Sequence, residues 1–388
     1  MSVFIGPLSE EFGWSRTLLS AGVAMSSVVT AVLSPFFGIL LDRYGARRLA
    51  LPGLVVTAFA ISSISLANGS PTQWLFLWGF YALISISVKT TIWTAAVAGV
   101  FQKAQGMALG ITLAGATAAH TVIPPLSNWL ISEFGWRMAY VWLGFGLGSI
   151  TLVLCYFFLY DAHDRERASI PDGGQGKRAR PNFPGLTLAE AWRDLALWRI
   201  GISIFLIMVL TIGLLVHQIE ILTGAGISRT NAAWLASLAG AMGIVGKLVT
   251  GVLLDRYRGS WIGGVTLSLA AVAFAFLIDG IHTPALIILA MLVNGYTAGA
   301  KLQIASYLTV RYSGMRNFGK IYGVITSLVA FGSGIGPLIA GAVYDLVGSY
   351  APFLAAGAVG SLLAGALLFT LPHYPDWEKR GSPQPAAA

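Results

Sequence analysis

The chain has 388 residues, of which 56% are hydrophobic and 10% charged, with a formal net charge of +8. Soluble domains carry about 25% charged residues, so this composition cannot supply a polar surface, and a mean hydropathy of +0.75 excludes a water-soluble globule in favour of a bilayer. The single cysteine, Cys155, excludes a disulfide framework and reads as packing, and with no Cys/His spacing suited to a metal, neither metal nor cofactor is expected.

A helix rises 1.5 Å per residue, so about 20 apolar residues cross the hydrocarbon. Eleven such runs follow one another: 17–41, 49–67, 73–99, 106–131, 137–159, 199–223, 230–254, 260–279, 284–308, 319–344 and 350–371. They are too long and too evenly apolar for β-barrel strands of about ten alternating residues. Turn residues such as Asn68-Gly69-Ser70-Pro71 mark the breaks. Midway lies the polar stretch 160–198, rich in Gly, Pro and Arg. Residues 165–182 read as a flexible linker. Leu186–Arg199 reads as a short amphipathic helix on the membrane face, with Leu188, Ala191, Trp192 and Leu195 at helical spacing. The tail 373–388 is expected to be disordered.

Eighteen of the 24 Lys and Arg fall in breaks on one side: Arg43, Arg47, Arg48, Lys103, seven in 160–199, Arg256, Arg258, Arg311, Arg316, Lys320, Lys379 and Arg380. The other side holds Arg16, Arg137 and Arg229. Basic loops stay cytoplasmic, so the expectation is a multi-pass protein of the inner (cytoplasmic) membrane with a cytoplasmic C-terminus. This distribution explains the net charge without any nucleic-acid partner. Lys89, Lys247 and Lys301 remain, all within spans.

The sequence also repeats. Gly38-Ile-Leu-Leu-Asp42-Arg43-Tyr44 recurs as Gly251-Val-Leu-Leu-Asp255-Arg256-Tyr257, an offset of 213. Gly13-Trp-Ser-Arg16 recurs as Gly226-Ile-Ser-Arg229, and Gly106 and Gly110 map to Gly319 and Gly323, at the same offset. Three anchors on one register indicate duplicated halves. The expected divisions are a first half-bundle at 1–159, a linker with amphipathic helix at 160–198, a second half-bundle at 199–372, and the tail. The counterpart of run 199–223 falls at about −14 to 10, so only its end, near Met1–Leu8, is expected here. A misassigned start or a truncated fragment is the reading offered for that.

The Gly38/Asp42/Arg43/Gly45/Arg47/Arg48 cluster and its copy at Gly251/Asp255/Arg256 resemble the loop 2–3 motif of the major facilitator superfamily. The second copy is degraded, with Arg258 where Gly45 would map. The resemblance implies an all-α membrane protein with the major facilitator fold of two pseudo-symmetric six-helix halves. About eleven complete transmembrane helices plus a stub of helix 1 would be present here. It also implies a latch that favours the outward-facing of two rocking states. Physically, glycines let helices approach closely, and an Asp at a helix end can bind a facing helix terminus. Phe12-Gly13-Trp14-Ser15-Arg16, Pro124-Pro125-Leu126 with Phe134-Gly135-Trp136-Arg137, and Leu186–Arg199 are similar to the monocarboxylate and oxalate/formate porter branch. Lys247, four residues before Gly251, sits where that branch often carries a substrate-binding Arg. Gly243 stands where proton symporters of the branch tend to place an Asp.

A charge inside hydrocarbon costs several kcal/mol and faces a wet cavity or a partner. No Asp or Glu lies deep in any complete run; Glu220 comes closest. The central field should be positive and the ligand an anion, most simply a carboxylate. Lys247 is the first candidate for binding it. Lys89 and Lys301 are nearly repeat-related, and a lysine from each half could clamp the anion between the halves. Trp93, one turn after Lys89, is a candidate cavity wall or cation–π partner. Asn294 and Gln303, with Tyr296, are weaker candidates on the Lys301 helix. His120 is a candidate relay or ligand donor, and His217 with Gln218 a candidate part of the outer vestibule. Small-residue stripes such as Gly240/Gly243/Gly246 read as close helix packing. The expected function is secondary active transport of a small organic anion, monocarboxylate or dicarboxylate, by alternating access. Symport with a proton and exchange both stay open. A drug or amphiphile exporter of the same superfamily and a non-transporting membrane sensor are the alternatives. A monomer is expected, and an enzyme is not, since no nucleophile–base pair, metal cluster or phosphate loop is found.

Overall fold

The computed structural model describes residues 2–14, 16–101, 103–161, 184–278 and 283–377, and these are almost wholly helical. The helices are α1 (Ser2–Phe12), α2 (Arg16–Tyr44), α3 (Ala46–Ser63), α4 (Pro71–Ser85), α5 (Thr90–Val100), α6 (Gln105–Val141) and α7 (Leu147–Phe158). After the linker come α8 (Leu188–Arg193), α9 (Leu195–Gly224), α10 (Arg229–Arg256), α11 (Gly259–Phe276), α12 (Pro284–Ser313), α13 (Phe318–Val347) and α14 (Ala351–Phe369). The linker expected at 165–182 lies outside the described residues, as does the tail beyond 377.

Ten helices among the described residues are long and apolar enough to span a bilayer, which makes this a multi-pass membrane protein. The run 106–131 is not separated from its neighbour, because α6 carries it straight into the run that begins at 137. Only Gly135, at φ 76° and ψ 162°, bends the chain between them. The third run, 73–99, is interrupted rather than continuous. A 3₁₀ turn at Ile86–Val88 ends in extended backbone at Lys89 (φ −73°, ψ 170°), which starts α5 afresh.

The amphipathic helix expected over Leu186–Arg199 is two helices. Thr187 and Glu190 form a reciprocal capping box that starts α8. Asp194 then leaves helical geometry, and its carboxylate accepts the Ala196 and Leu197 N–H groups at 2.7 and 3.2 Å. That cap begins α9 four residues ahead of the expected 199 and so breaks the amphipathic stretch.

The chain packs as a duplicated bundle. α2 lies along α13 and α6 along α10, and these two crossings join the halves. Each half also caps itself in a repeated way at the end bearing most of the arginines, here called the basic end. Asp161, just past α7, accepts the Ala46 N–H that opens α3. Its counterpart 213 residues on, the Tyr374 hydroxyl, accepts the Gly259 N–H that opens α11 at 2.7 Å. Arg47 donates to the Tyr156 carbonyl at 2.7 Å, and Arg258 to the Leu371 and Pro372 carbonyls, both at 2.8 Å. The second copy tolerates Arg258 in place of Gly45 for a conformational reason. Gly45 turns at φ 84°, a left-handed value that favours glycine, whereas Arg258 enters its helix at φ −62°.

At the opposite end α1 is fastened by its own contacts. Phe4 and Leu8 join a cluster with Trp14, Trp74, Trp78, Trp136 and Tyr140. Glu11 bridges Arg137 at 2.7 Å and accepts the Trp136 indole N–H at 2.5 Å. Hydrogen bonds from Arg137 and Trp136 hold the Glu11 carboxyl below its ordinary value. A depressed carboxyl contributes stability above its unfolded pKa and loses it as pH falls through the folded one. The clasp is therefore present at neutral pH and fades as pH falls below the ordinary carboxylate range. Hydrogen exchange of residues 2–12 should rise between pH 6 and pH 3.5 beyond the intrinsic rate change. Glu11→Gln should show raised exchange at both values and no such step. A step of equal size in Glu11→Gln would assign the acid sensitivity elsewhere.

Candidate functional site

The basic end is closed by two carboxylates that cross between the halves. Asp42, at the end of α2, accepts the Gly319 and Lys320 N–H groups at 2.7 and 3.0 Å, capping α13. Asp255, at the end of α10, accepts the Gly106 and Met107 N–H groups at 2.6 and 2.8 Å, capping α6. The pairs are repeat images, since 319 and 255 are 106 and 42 advanced by 213. A carboxylate at a helix N-terminus meets both the unpaired N–H groups and the positive end of the dipole. Glycine is required here by proximity: a Cβ on Gly106 would lie 2.6 Å from the Gly251 carbonyl, and one on Gly319 2.6 Å from that of Gly38. Both Asp residues thus bind the facing half. Among the described residues the ion pair is Arg137–Glu11, at the opposite end of the bundle. Arg43 instead lies over the Tyr44 ring and Arg47 over that of Tyr160, while Arg256 is exposed.

Away from that end the crossings part. Gly240 lies eleven residues before Gly251 on the same helix, and Gly334 eleven after Gly323. Eleven residues are close to three turns, so each pair shares a face. Gly251 and Gly323 touch the other half, yet a Cβ on Gly240 or Gly334 would meet nothing within 4 Å. The halves meet at the basic end and diverge toward the other.

Lys247 sits one turn above the Gly251 crossing, on the diverging side, and is 9% exposed. Its ammonium donates to the Thr117 hydroxyl on α6, across the halves. Lys301, 4% exposed, donates to the Thr211 hydroxyl of α9 within its own half. α10 and α12 are pressed together, with a Cβ on Gly246 or Gly299 meeting the Tyr296 or Gly243 carbonyl. Lys301 feels the charge of Lys247. Neither lysine has a carboxylate within 4 Å among the described residues.

Lys89 is half-buried at the break before α5, and its ammonium has no hydrogen-bond or ion-pair partner among the described residues. Two residues on, Thr91 meets Thr326 of α13 at 3.2 Å, so this break borders the crossing of the halves. The described hydrogen bonds tie Lys247 to Thr117 and Lys301 to Thr211; none joins Lys89 to either lysine. A Lys89–Trp93 cation–π pair does not form among the described residues. Extended backbone at Lys89 disrupts the helical phase that would place both on one face, and the Trp93 indole donates to the Val88 carbonyl at 2.9 Å. Trp93 packs against the cluster of Phe37, Leu41 and Ile92.

Gln303 is fully buried at the α6–α10 crossing, where its amide donates to the Gly106 carbonyl at 2.6 Å. That gives it a part in the closure, and its Oε1 is left without a hydrogen bond. Asn294 is buried at 3% exposure. His217 accepts from the Tyr350 hydroxyl at 2.9 Å, and its other nitrogen meets the Pro337 carbonyl at 3.1 Å. These contacts tie it to its own half. The side chain of His120 lies outside the described residues. The lysine partners Thr117 and Thr211 are absent from the expected set, and so is the Asp161 cap, although its counterpart Tyr374 lies at the repeat offset of 213.

The sequence model of the Major Facilitator Superfamily matches residues 1–224 and again 211–388. Monocarboxylate transporter 13 of Bos taurus is 26% identical over 385 residues, covering 96% of this chain and 83% of that protein. The crystal structure of the human organic anion transporter MFSD10 aligns with a TM-score of 0.66 at 20% identity, over 93% of this chain and 87% of the other. The proton:xylose symporter XylE aligns with a TM-score of 0.73 at 11% identity, over 96% and 91%.

Proposed function

From the premise that the chain belongs to the Major Facilitator Superfamily, we propose that it is a secondary transporter of small organic anions, working by rocking of residues 1–159 against 199–372. The observation that carries this is the pair of buried ammonium groups, Lys247 and Lys301, each held by a threonine hydroxyl and by no carboxylate among the described residues. Two neighbouring cations in a low-dielectric bundle repel one another. A carboxylate between them supplies the missing countercharge with charge-assisted hydrogen bonds. The name of the bovine relative, a monocarboxylate transporter, agrees with that chemistry.

Lys247 has the pivotal place, because its partner Thr117 belongs to the other half. An anion arriving from the diverging side takes over that bond and draws the α6 face toward α10. The basic end is cytoplasmic by the distribution of Lys and Arg, so this conformation is the outward-facing one. Closure at the other end must then break the Asp42 and Asp255 caps.

Proteoliposomes preloaded with unlabelled lactate, pyruvate, formate, oxalate or a larger dicarboxylate should accumulate the labelled form of at least one of them by counterflow. Accumulation of a cationic amphiphile, with no carboxylate counterflow, would instead favour an exporter. Ligand-dependent tryptophan quenching with no counterflow would favour a sensor. Running the assay with and without a pH gradient separates proton symport from exchange.

A further inference from the structure

A second cavity lies outside the central site, at the basic end. It is a partly open hollow between α8, the start of α9 and the start of α13. Its walls are apolar, formed by Leu188, Trp192, Trp198, Ile325 and Leu328, with Lys320 the sole charged lining residue. We propose that this cavity binds an anionic phospholipid, with one acyl chain against the tryptophan and leucine wall and the phosphate at Lys320.

Three observations favour that occupant. The first is level: Trp192 and Trp198 are 55% and 38% exposed with ring centroids 5.3 Å apart. Paired tryptophans of that kind mark the headgroup boundary. The second is charge. Lys320 donates to Asn317 at 3.3 Å, and an ammonium has three donors. Arg193 stands exposed in the last turn of α8. The acids nearest Arg193 in sequence, Glu190 and Asp194, are turned to backbone caps, and Asp42, the acid beside Lys320, accepts the Gly319 and Lys320 N–H groups. The third is anchorage. α8 is held by its capping box and by backbone bonds from Leu186 to Ser313 and from Met315 to Pro184, so the wall is built into the fold.

The site has a direct line to the closure. The Lys320 N–H is one of the two that Asp42 holds, so a phosphate at the Lys320 amine bears on the residue that carries the cap. The purified full-length chain in detergent, mixed with equal phosphatidylglycerol and phosphatidylcholine, tests this by native mass spectrometry. The wild type should retain one phosphatidylglycerol at least fivefold over phosphatidylcholine. Lys320→Gln should bring the two lipids to parity, and Gly201→Phe, which fills the cavity, should remove both adducts. Should Gly201→Phe misfold, quenching by brominated acyl chains replaces it. Brominated phosphatidylglycerol should quench the wild type more than Trp198→Phe, and more than brominated phosphatidylcholine does. Equal retention of the two lipids by the wild type, or a preference unchanged in Lys320→Gln, overturns the proposal.

Discussion

Lys247→Gln will lower carboxylate counterflow by about 10- to 150-fold while leaving the protein inserted and folded. A hydrogen bond to a charged group contributes about 1.5–3 kcal/mol, and each 1.4 kcal/mol is a factor of about ten. Glutamine is one atom shorter and keeps an N–H donor, but it offers an anion no charge. Removing a charge from the bundle lightens the burden of burial, so thermal stability in detergent should hold or rise. Lys247→Arg should retain a measurable part of the rate, because it preserves the charge. Thr117→Val should cost less than Lys247→Gln, since it removes only the resting partner. Counterflow in Lys247→Gln within a factor of two of the wild type would remove this amine from the binding site. If Lys301→Gln were equally silent, the anion reading itself would fall.

The double substitution Asp42→Ala with Asp255→Ala will shift the chain toward the state opened at the basic end. Replacing an N-cap by Ala costs about 0.5–2 kcal/mol, so losing both caps weakens the closed state by about 1–4 kcal/mol. The ratio of closed to open molecules then falls by about 5- to 1,000-fold. Spin labels at Lys103→Cys and Tyr257→Cys report on this, as both residues are exposed at the basic end on opposite halves. The sole native cysteine, Cys155, would first be replaced by Ser. Pulsed dipolar measurements should show one short distance in the parent and a longer population in the double variant. Each single variant should lie between them. An unchanged distance distribution in the double variant would mean that the carboxylates cap helices without governing the closure.

Most of the bundle could be read from apolar run lengths, because backbone hydrogen bonds have few alternatives to helix in lipid. The repeat register of 213 was legible too, and with it the placing of Asp42 and Asp255, since both are polar groups at helix ends where few choices exist. The centre was only half legible. Lys247 and Lys301 stood out because charge is rare at that depth. Their partners Thr117 and Thr211 look like any threonine in a span, where the hydroxyl can equally bond its own helix. Lys89 was misplaced relative to Trp93 because nothing in the apolar run 73–99 announces extended backbone at Lys89. Gln303 was read as facing a ligand, but polarity alone does not tell a cavity from a helix crossing. Asp194 was missed as a cap because the leucine and tryptophan pattern continues across it.

The reciprocal caps obey the contact rule of a twofold dimer. Surface one meets surface two on the partner, and the same pairing returns with the roles exchanged. A single fastener would let two bodies swivel about it, whereas two spaced fasteners fix their relative orientation. Fusing two copies in one polypeptide then frees each copy to diverge wherever the pairing itself is not at stake. Arg258 in the place of a glycine, and Tyr374 in the place of an aspartate, are what that freedom looks like: the bond to the backbone persists while the side chain that makes the turn or accepts the proton has changed.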